Sequence, residues 1–223
     1  MMRTKLVDRV LPDYTKGEEI FNMVSHIVGG GFGIIALVLC VVFSSLKGDA
    51  WDITGSAIYG GSMVILYTMS SVYHGIKSEM AKKVMQVLDH CTIYLLIAGT
   101  YTPILLSALR PVSPIWCWIL FSIVWGLGIL AGVLTAIDLK KYSAFSMICY
   151  IGMGWCVVLA AKQVFLAIGF SGIMWLLAGG ISYTVGAIFY AFGKKCRYIH
   201  SVFHLFVVIG SILQFVCIFF YCI

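Results

Sequence analysis

His200-Ser-Val-Phe-His204 heads a charge-free apolar run that continues from Leu205 to Tyr221. Read as a helix, residues 199–221 are long enough to cross a bilayer, which takes about 20 mostly apolar residues. Two histidines four apart then share one face, one turn apart. Imidazoles are costly in hydrocarbon, so that face turns to the protein interior and needs partners. The chain has five histidines, His26, His74, His90, His200 and His204, and each falls near the end of an apolar run.

Composition supports the same class. The 223 residues are 61% hydrophobic and only 11% charged, and the mean hydropathy is +1.02. A soluble domain carries about 25% charge, so this balance means a membrane protein. Apolar segments use up the length, leaving a short tail at 1–18 and a single membrane domain at 19–223. The tail mixes Arg3, Lys5 and Arg9 with Asp8 and Asp13. It lacks the features of a signal peptide, so the first helix is expected to stay in the mature protein. A net charge of +6 would suggest nucleic acid in a soluble chain. Here the basic residues sit in short loops, which makes topology the better explanation. Eight cysteines are scattered with no CxxC pair and read as small apolar packing residues.

The pattern predicts an all-α integral membrane protein with seven transmembrane helices, near 23–46, 53–76, 84–109, 115–137, 142–161, 172–192 and 199–221. Twelve Lys and Arg residues fall on the side of the N-terminus and of the second, fourth and sixth loops, against Lys47, Arg110 and Lys162 on the other. That asymmetry predicts a cytoplasmic N-terminus and a C-terminus outside. The boundary after Lys162 is the least defined, since Val164–Phe170 could extend a helix or lie at the interface. Small residues recur at Gly29, Gly31 and Gly33, at Gly126, Gly128 and Gly132, and at Gly179, Gly180 and Gly186, which predicts close helix approach.

This topology sorts the rare intramembrane polar groups by depth. Glu19, Asn22, Ser25 and His26 of the first helix, Ser70 and His74 of the second, Asp89 and His90 of the third, and His200 and His204 of the seventh all fall at the cytoplasmic end. Helix formation requires no such convergence, and the outer ends hold no comparable set. A His-x-x-x-His pair plus one histidine from another helix can offer three nitrogens, the number a catalytic zinc site commonly keeps beside an open position. Zinc would lower the pKa of a bound water toward about 7 and provide a hydroxide nucleophile. Ser70 and Asp89 could hold that water or orient a histidine, and Asp89 could act as general base. The plainer reading is hydrogen-bonding glue between helices. His90 points about 100° away from Asp89 and is expected to pack. His26 is expected either to be structural or to support the ligands from behind, in a polar cluster with Asn22 and Glu19.

Glu19-x-x-Asn22-x-x-Ser25-His26, Ser70-x-x-x-His74, Asp89-His90-x-x-Ile93 followed by Ala98-Gly-Thr-Tyr-Thr-Pro103, and His200-x-x-x-His204 resemble the hemolysin III family, the bacterial branch of the progestin and adipoQ receptor (PAQR) proteins. The resemblance runs from about Lys16 to the end. It implies a bacterial plasma-membrane protein with seven helices. It also implies zinc held by His74, His200 and His204, with Ser70 and Asp89 beside the metal. It implies kinship with presumed metal-dependent membrane hydrolases, and the family label carries cytolysis.

Three functions are therefore expected to compete. The first is a zinc hydrolase cleaving an amide or ester of a lipid-like substrate, with membrane lipids as partners. The second is a non-enzymatic regulator of membrane state with structural zinc. The third is a pore-forming cytolysin, which would be expected to carry polar positions through the full membrane depth.

Overall fold

The computed structural model describes residues 4–192 and 196–223; the expected loop cations Lys194 and Lys195, and Arg3 of the tail, lie outside them. Seven α-helices of more than ten residues organise the described residues: α1 Lys16–Lys47, α2 Ala50–Gly75, α3 Glu79–Pro103, α4 Pro114–Ile137, α5 Ser143–Trp155, α6 Ala161–Phe192 and α7 Ile199–Tyr221. No strand occurs among the described residues.

Among those residues, five helical stretches are long and apolar enough to cross a membrane: Lys16–Lys47, Glu79–Val112, Pro114–Ile137, Ser143–Ala191 and Ile199–Tyr221. Helix α2 has the length, 26 residues, but Asp52, Thr54 and six further Ser, Thr and His positions dilute its hydropathy. The fifth and sixth predicted runs are not separated by a loop. A 3-10 turn at Cys156–Ala160 joins α5 to α6, and Lys162 lies within the helical path. The break comes instead at Gly169, whose φ of 67° lies in the left-handed region, where only glycine is free of a Cβ penalty. Gly169 falls inside 164–170, the stretch that the sequence left open between helix and interface.

Helix α3 also differs from the prediction. It starts at Glu79, not near residue 84, so Asp89 lies about three turns inside it. Past Pro103 it widens into a π-helical stretch, Ile104–Leu109. Proline lacks the N–H that the regular ladder needs.

Packing is most extensive between α1 and α2, between α6 and α7, and between α2 and α3. The small-residue stripes account for part of this. A Cβ at Gly60 would lie 2.5 Å from the Leu37 backbone, and one at Gly29 would lie 2.7 Å from the Tyr67 ring. Gly31 and Gly126, by contrast, face open space, so the stripes were over-read there. Gly60→Ala is expected to destabilise the protein by about 1–3 kcal/mol, the usual cost of overpacking against atoms that cannot move aside. Thermal unfolding in detergent checks this, with Gly31→Ala as an unaffected control. The outward faces of α1 (Ile34, Ile35, Val38) and α4 (Ile129, Leu130, Val133) are exposed and apolar, as a lipid-facing surface must be.

The N-terminal segment is folded onto one end of the bundle. The Thr4 backbone N–H donates to the Asp138 carboxylate at 2.7 Å, and Lys83 Nζ donates to the Val7 carbonyl at 2.8 Å. The Thr4 N–H, followed by that of Lys141, holds the Asp138 carboxyl below the usual carboxylate range.

Candidate metal centre

The site forms where α1 and α7 begin and α2 ends. Helix α1 opens with a capping box: Thr15 Oγ1 accepts from the Glu18 N–H, and Glu18 accepts from the Thr15 N–H. Such reciprocal bonds satisfy two orphan donors of the first turn. The other Glu18 oxygen accepts from the Tyr198 backbone N–H at 2.7 Å. Tyr198 has a φ of 61°, and its hydroxyl lies 2.6 Å from where a Gly17 Cβ would sit. One carboxylate therefore ties the start of α1 to the start of α7, immediately before His200.

Three histidines converge there. One ring nitrogen from each of His74, His200 and His204 lies within 4.8 Å of the others. The Nε2 atoms of His200 and His204 face each other at 3.0 Å. His74 Nδ1–H donates to Glu19 at 2.6 Å, which leaves the buried Nε2 of His74 without a protein partner. Glu19 is held on its other oxygen by Lys82. A carboxylate on the far nitrogen fixes the tautomer and orientation that a metal-binding imidazole needs. The donor set and its geometry fit a first-row metal of the zinc type.

Aromatic rings close the surroundings. His26 stacks on His204 with centroids 3.8 Å apart. Tyr14 stacks on His200 at 5.0 Å and tilts against His74 at 5.8 Å; burial pushes its phenol up. Buried side-chain polar atoms without a partner gather here. Both polar atoms of Asn22, both ring nitrogens of His26, His74 Nε2 and His204 Nδ1 are six of the twelve such atoms among the described residues. Native interiors pair nearly all buried polar atoms, so this concentration marks a place built to meet something else.

Ser70 and Asp89 lie on one cavity wall with His26 and His204. The Ser70 hydroxyl is a hydrogen-bonding neighbour of the Asp89 carboxyl. The cavity holds about 150 Å³ and runs inward between α3, α5, α6 and α7. His90 turns away, as its position beside Asp89 predicted. Its Nδ1–H donates to the Gln86 carbonyl at 2.8 Å, and its Nε2 accepts from the Tyr190 hydroxyl at 3.1 Å. Both nitrogens are engaged, so His90 has none for a metal. Cys91 points to the Gly132 carbonyl of α4, also away from the centre.

Two features were misread from sequence. Glu19 was grouped with Asn22 and His26, but it pairs with His74 and Lys82 across three helices. Tyr14, in the tail and given no role from sequence, covers the site. Only shared depth hinted at Glu19, and nothing in the tail's composition marked Tyr14. Glu19→Gln is expected to weaken metal binding by roughly 10–100-fold with the fold intact, the usual effect of losing such an outer carboxylate. Competition against a zinc-selective chelator measures it.

Fold and site together define a multi-pass helical membrane protein with a three-histidine cluster near one end of its bundle. Comparison of sequences is consistent with that class. The family profile described as "Haemolysin-III related" matches residues 14–215. The chain is 38% identical over 210 residues to "Hemolysin-3 homolog" of Bacillus subtilis (strain 168), covering 94% of this chain and 97% of that one. It is 40% identical over 204 residues to "Hemolysin-3" of Bacillus cereus, covering 92% and 91%. A more distant similarity, 24% over 191 residues and covering 82% and 76%, is to human "Monocyte to macrophage differentiation factor". The chain belongs to the haemolysin III family, with distant relatives of PAQR type.

Proposed function

We propose that the protein is a zinc-dependent integral membrane hydrolase that cleaves an amide or ester bond of a lipid-like substrate near the inner leaflet. The observation that carries this reading is the meeting of three histidine nitrogens within 4.8 Å, beside a cavity whose wall also holds Asp89 and Ser70. His74, His200 and His204 would hold zinc, which supplies Lewis acidity that polarises a carbonyl and acidifies water toward neutral pH. Glu19 holds the His74 ring in register, and Lys82 balances the Glu19 charge. Asp89 accepts a proton at its carboxylate oxygen, and Ser70 keeps that carboxylate aimed. The apolar cavity takes the hydrocarbon part of the substrate and keeps bulk water out.

The finer topology belongs to the same proposal. Seven spans follow if α2 crosses beside α1 and if Gly169 divides the long Ser143–Ala191 stretch. The twelve-to-three division of Lys and Arg then puts the N-terminus and the histidine centre at the cytoplasmic side. The test of function is turnover of a panel of lipid amides and esters by purified, zinc-loaded protein. Binding of those lipids with no turnover of any of them overturns the hydrolase reading.

A second reading has its own support. The three histidines join α2 to α7, and Glu19 adds α1, so zinc there would also serve as a clamp in a regulator of membrane state. Under that reading Asp89→Ala leaves function intact, while each histidine change lowers thermal stability. Cytolysis, suggested by the names of the Bacillus relatives, would require conductance that survives loss of all three histidines.

A further inference from the structure

The cavity does not end at the histidines. Its wall continues past Leu96 and Val207 to Gln214, ten residues along α7 from His204, or about 15 Å of helix. A glutamine at that depth is expensive in hydrocarbon and reads as functional unless fully satisfied. Gln214 is only 5% exposed, and its Nε2 donates to the Leu176 carbonyl of α6 at 3.1 Å. The side chain also packs on Gly179, where a Cβ would come 2.6 Å from Nε2. The bond to Leu176 fixes which way the amide faces. Its Oε1 is buried and has no partner.

The other polar groups on the cavity wall set this atom apart. Tyr101, Tyr183 and Thr184 commit their hydroxyls to the Gly154 carbonyl, Ser211 Oγ and the Gly180 carbonyl. Among the described residues lining the cavity, fully buried side-chain polar atoms without a partner occur on His26 and His204 at one end and on Gln214 at the other. Apolar residues separate the two places.

We infer that Gln214 forms a distal polar subsite of the cavity, which accepts a hydrogen bond from a hydroxyl or N–H carried on the apolar arm of an amphiphile. The donor sits about 15 Å from the histidine centre, roughly a dozen extended carbon–carbon bonds along the arm. The ligand class is thus a hydroxylated or amide-bearing acyl chain, distinct from a plain one. Placing the ligand's other end at the histidines rests on the function proposed above; the reading of the donor by Gln214 rests on the cavity alone.

Binding to the full chain in detergent, with 12-hydroxydodecanoic acid and 12-methoxydodecanoic acid as probes, tests this. The methoxy compound keeps the oxygen, loses the donor and adds one methyl group, a difference in size that the Gln214→Leu comparison controls. Wild-type protein is expected to prefer the hydroxy acid by about ten-fold, the order of one buried hydrogen bond against an unsatisfied acceptor. In Gln214→Leu the preference is expected to fall to within about two-fold, and the ratio of ratios cancels partition into detergent. Equal binding of the two probes by wild type overturns the inference, without need of a variant that folds. So does a preference that persists in Gln214→Leu, which would leave Gln214 as a tie between α6 and α7. The readout needs neither metal nor turnover, so failure of the hydrolase reading leaves the result interpretable.

Discussion

His204→Ala is expected to abolish metal binding, taking the purified protein from about one zinc per chain to background. His204 is 1% exposed, and its Nε2 faces that of His200 at 3.0 Å. Loss of a direct ligand should exceed the roughly 10–100-fold expected for Glu19→Gln. Elemental analysis of both proteins after size exclusion in metal-free buffer decides the matter, and the elution profile shows whether the variant remains folded. His26→Ala is the informative companion, because the His26 ring stacks on His204 at 3.8 Å and both its nitrogens are unpartnered. Metal lost from His26→Ala but kept in His204→Ala would reassign the third ligand. Metal absent from wild type under non-chelating conditions would return the cluster to the role of glue between helices.

Asp89→Asn is expected to cut turnover by about 10²–10⁴-fold while metal content stays at the wild-type level, the range for a lost general acid–base group. Asparagine keeps the shape of the side chain and its approach to Ser70 but cannot accept a proton. Initial rates on whichever lipid amide or ester proves to be a substrate, normalised to bound zinc, give the comparison. Rates within about three-fold of wild type would remove Asp89 from the chemistry and favour the structural clamp. Ser70→Ala, acting only through the aim of Asp89, should cost less than Asp89→Asn under the same assay.

Much of the candidate site was legible because the membrane makes polar residues rare. His74, His200, His204, Ser70 and Asp89 stood out as costly groups at one depth, and three of them do bring nitrogens together. The depth argument could not say who pairs with whom. It grouped Glu19 with its helical neighbours Asn22 and His26, whereas the carboxylate reaches His74 on α2 and Lys82 on α3. It left the tail empty, although Tyr14 stacks on His200 and Thr4 is held by Asp138. It also passed over Gln214, whose meaning depends on a cavity that no local pattern encodes.

Helical class and membrane residence were determined by the sequence alone. In hydrocarbon each backbone polar group must be satisfied within its own segment, so long apolar runs have no alternative to the helix. The division of Lys and Arg and the polar helix ends are likewise written in composition. Tertiary structure decided what depends on packing between distant segments. Gly169, not a loop, breaks the Ser143–Ala191 stretch; α3 begins at Glu79 and carries Asp89 well inside; the starts of α1 and α7 are joined through Glu18 and Tyr198. The last is set by a contact between residues far apart in the chain, where helix periodicity fixes only which face a residue occupies and the neighbour that fills it comes from another helix.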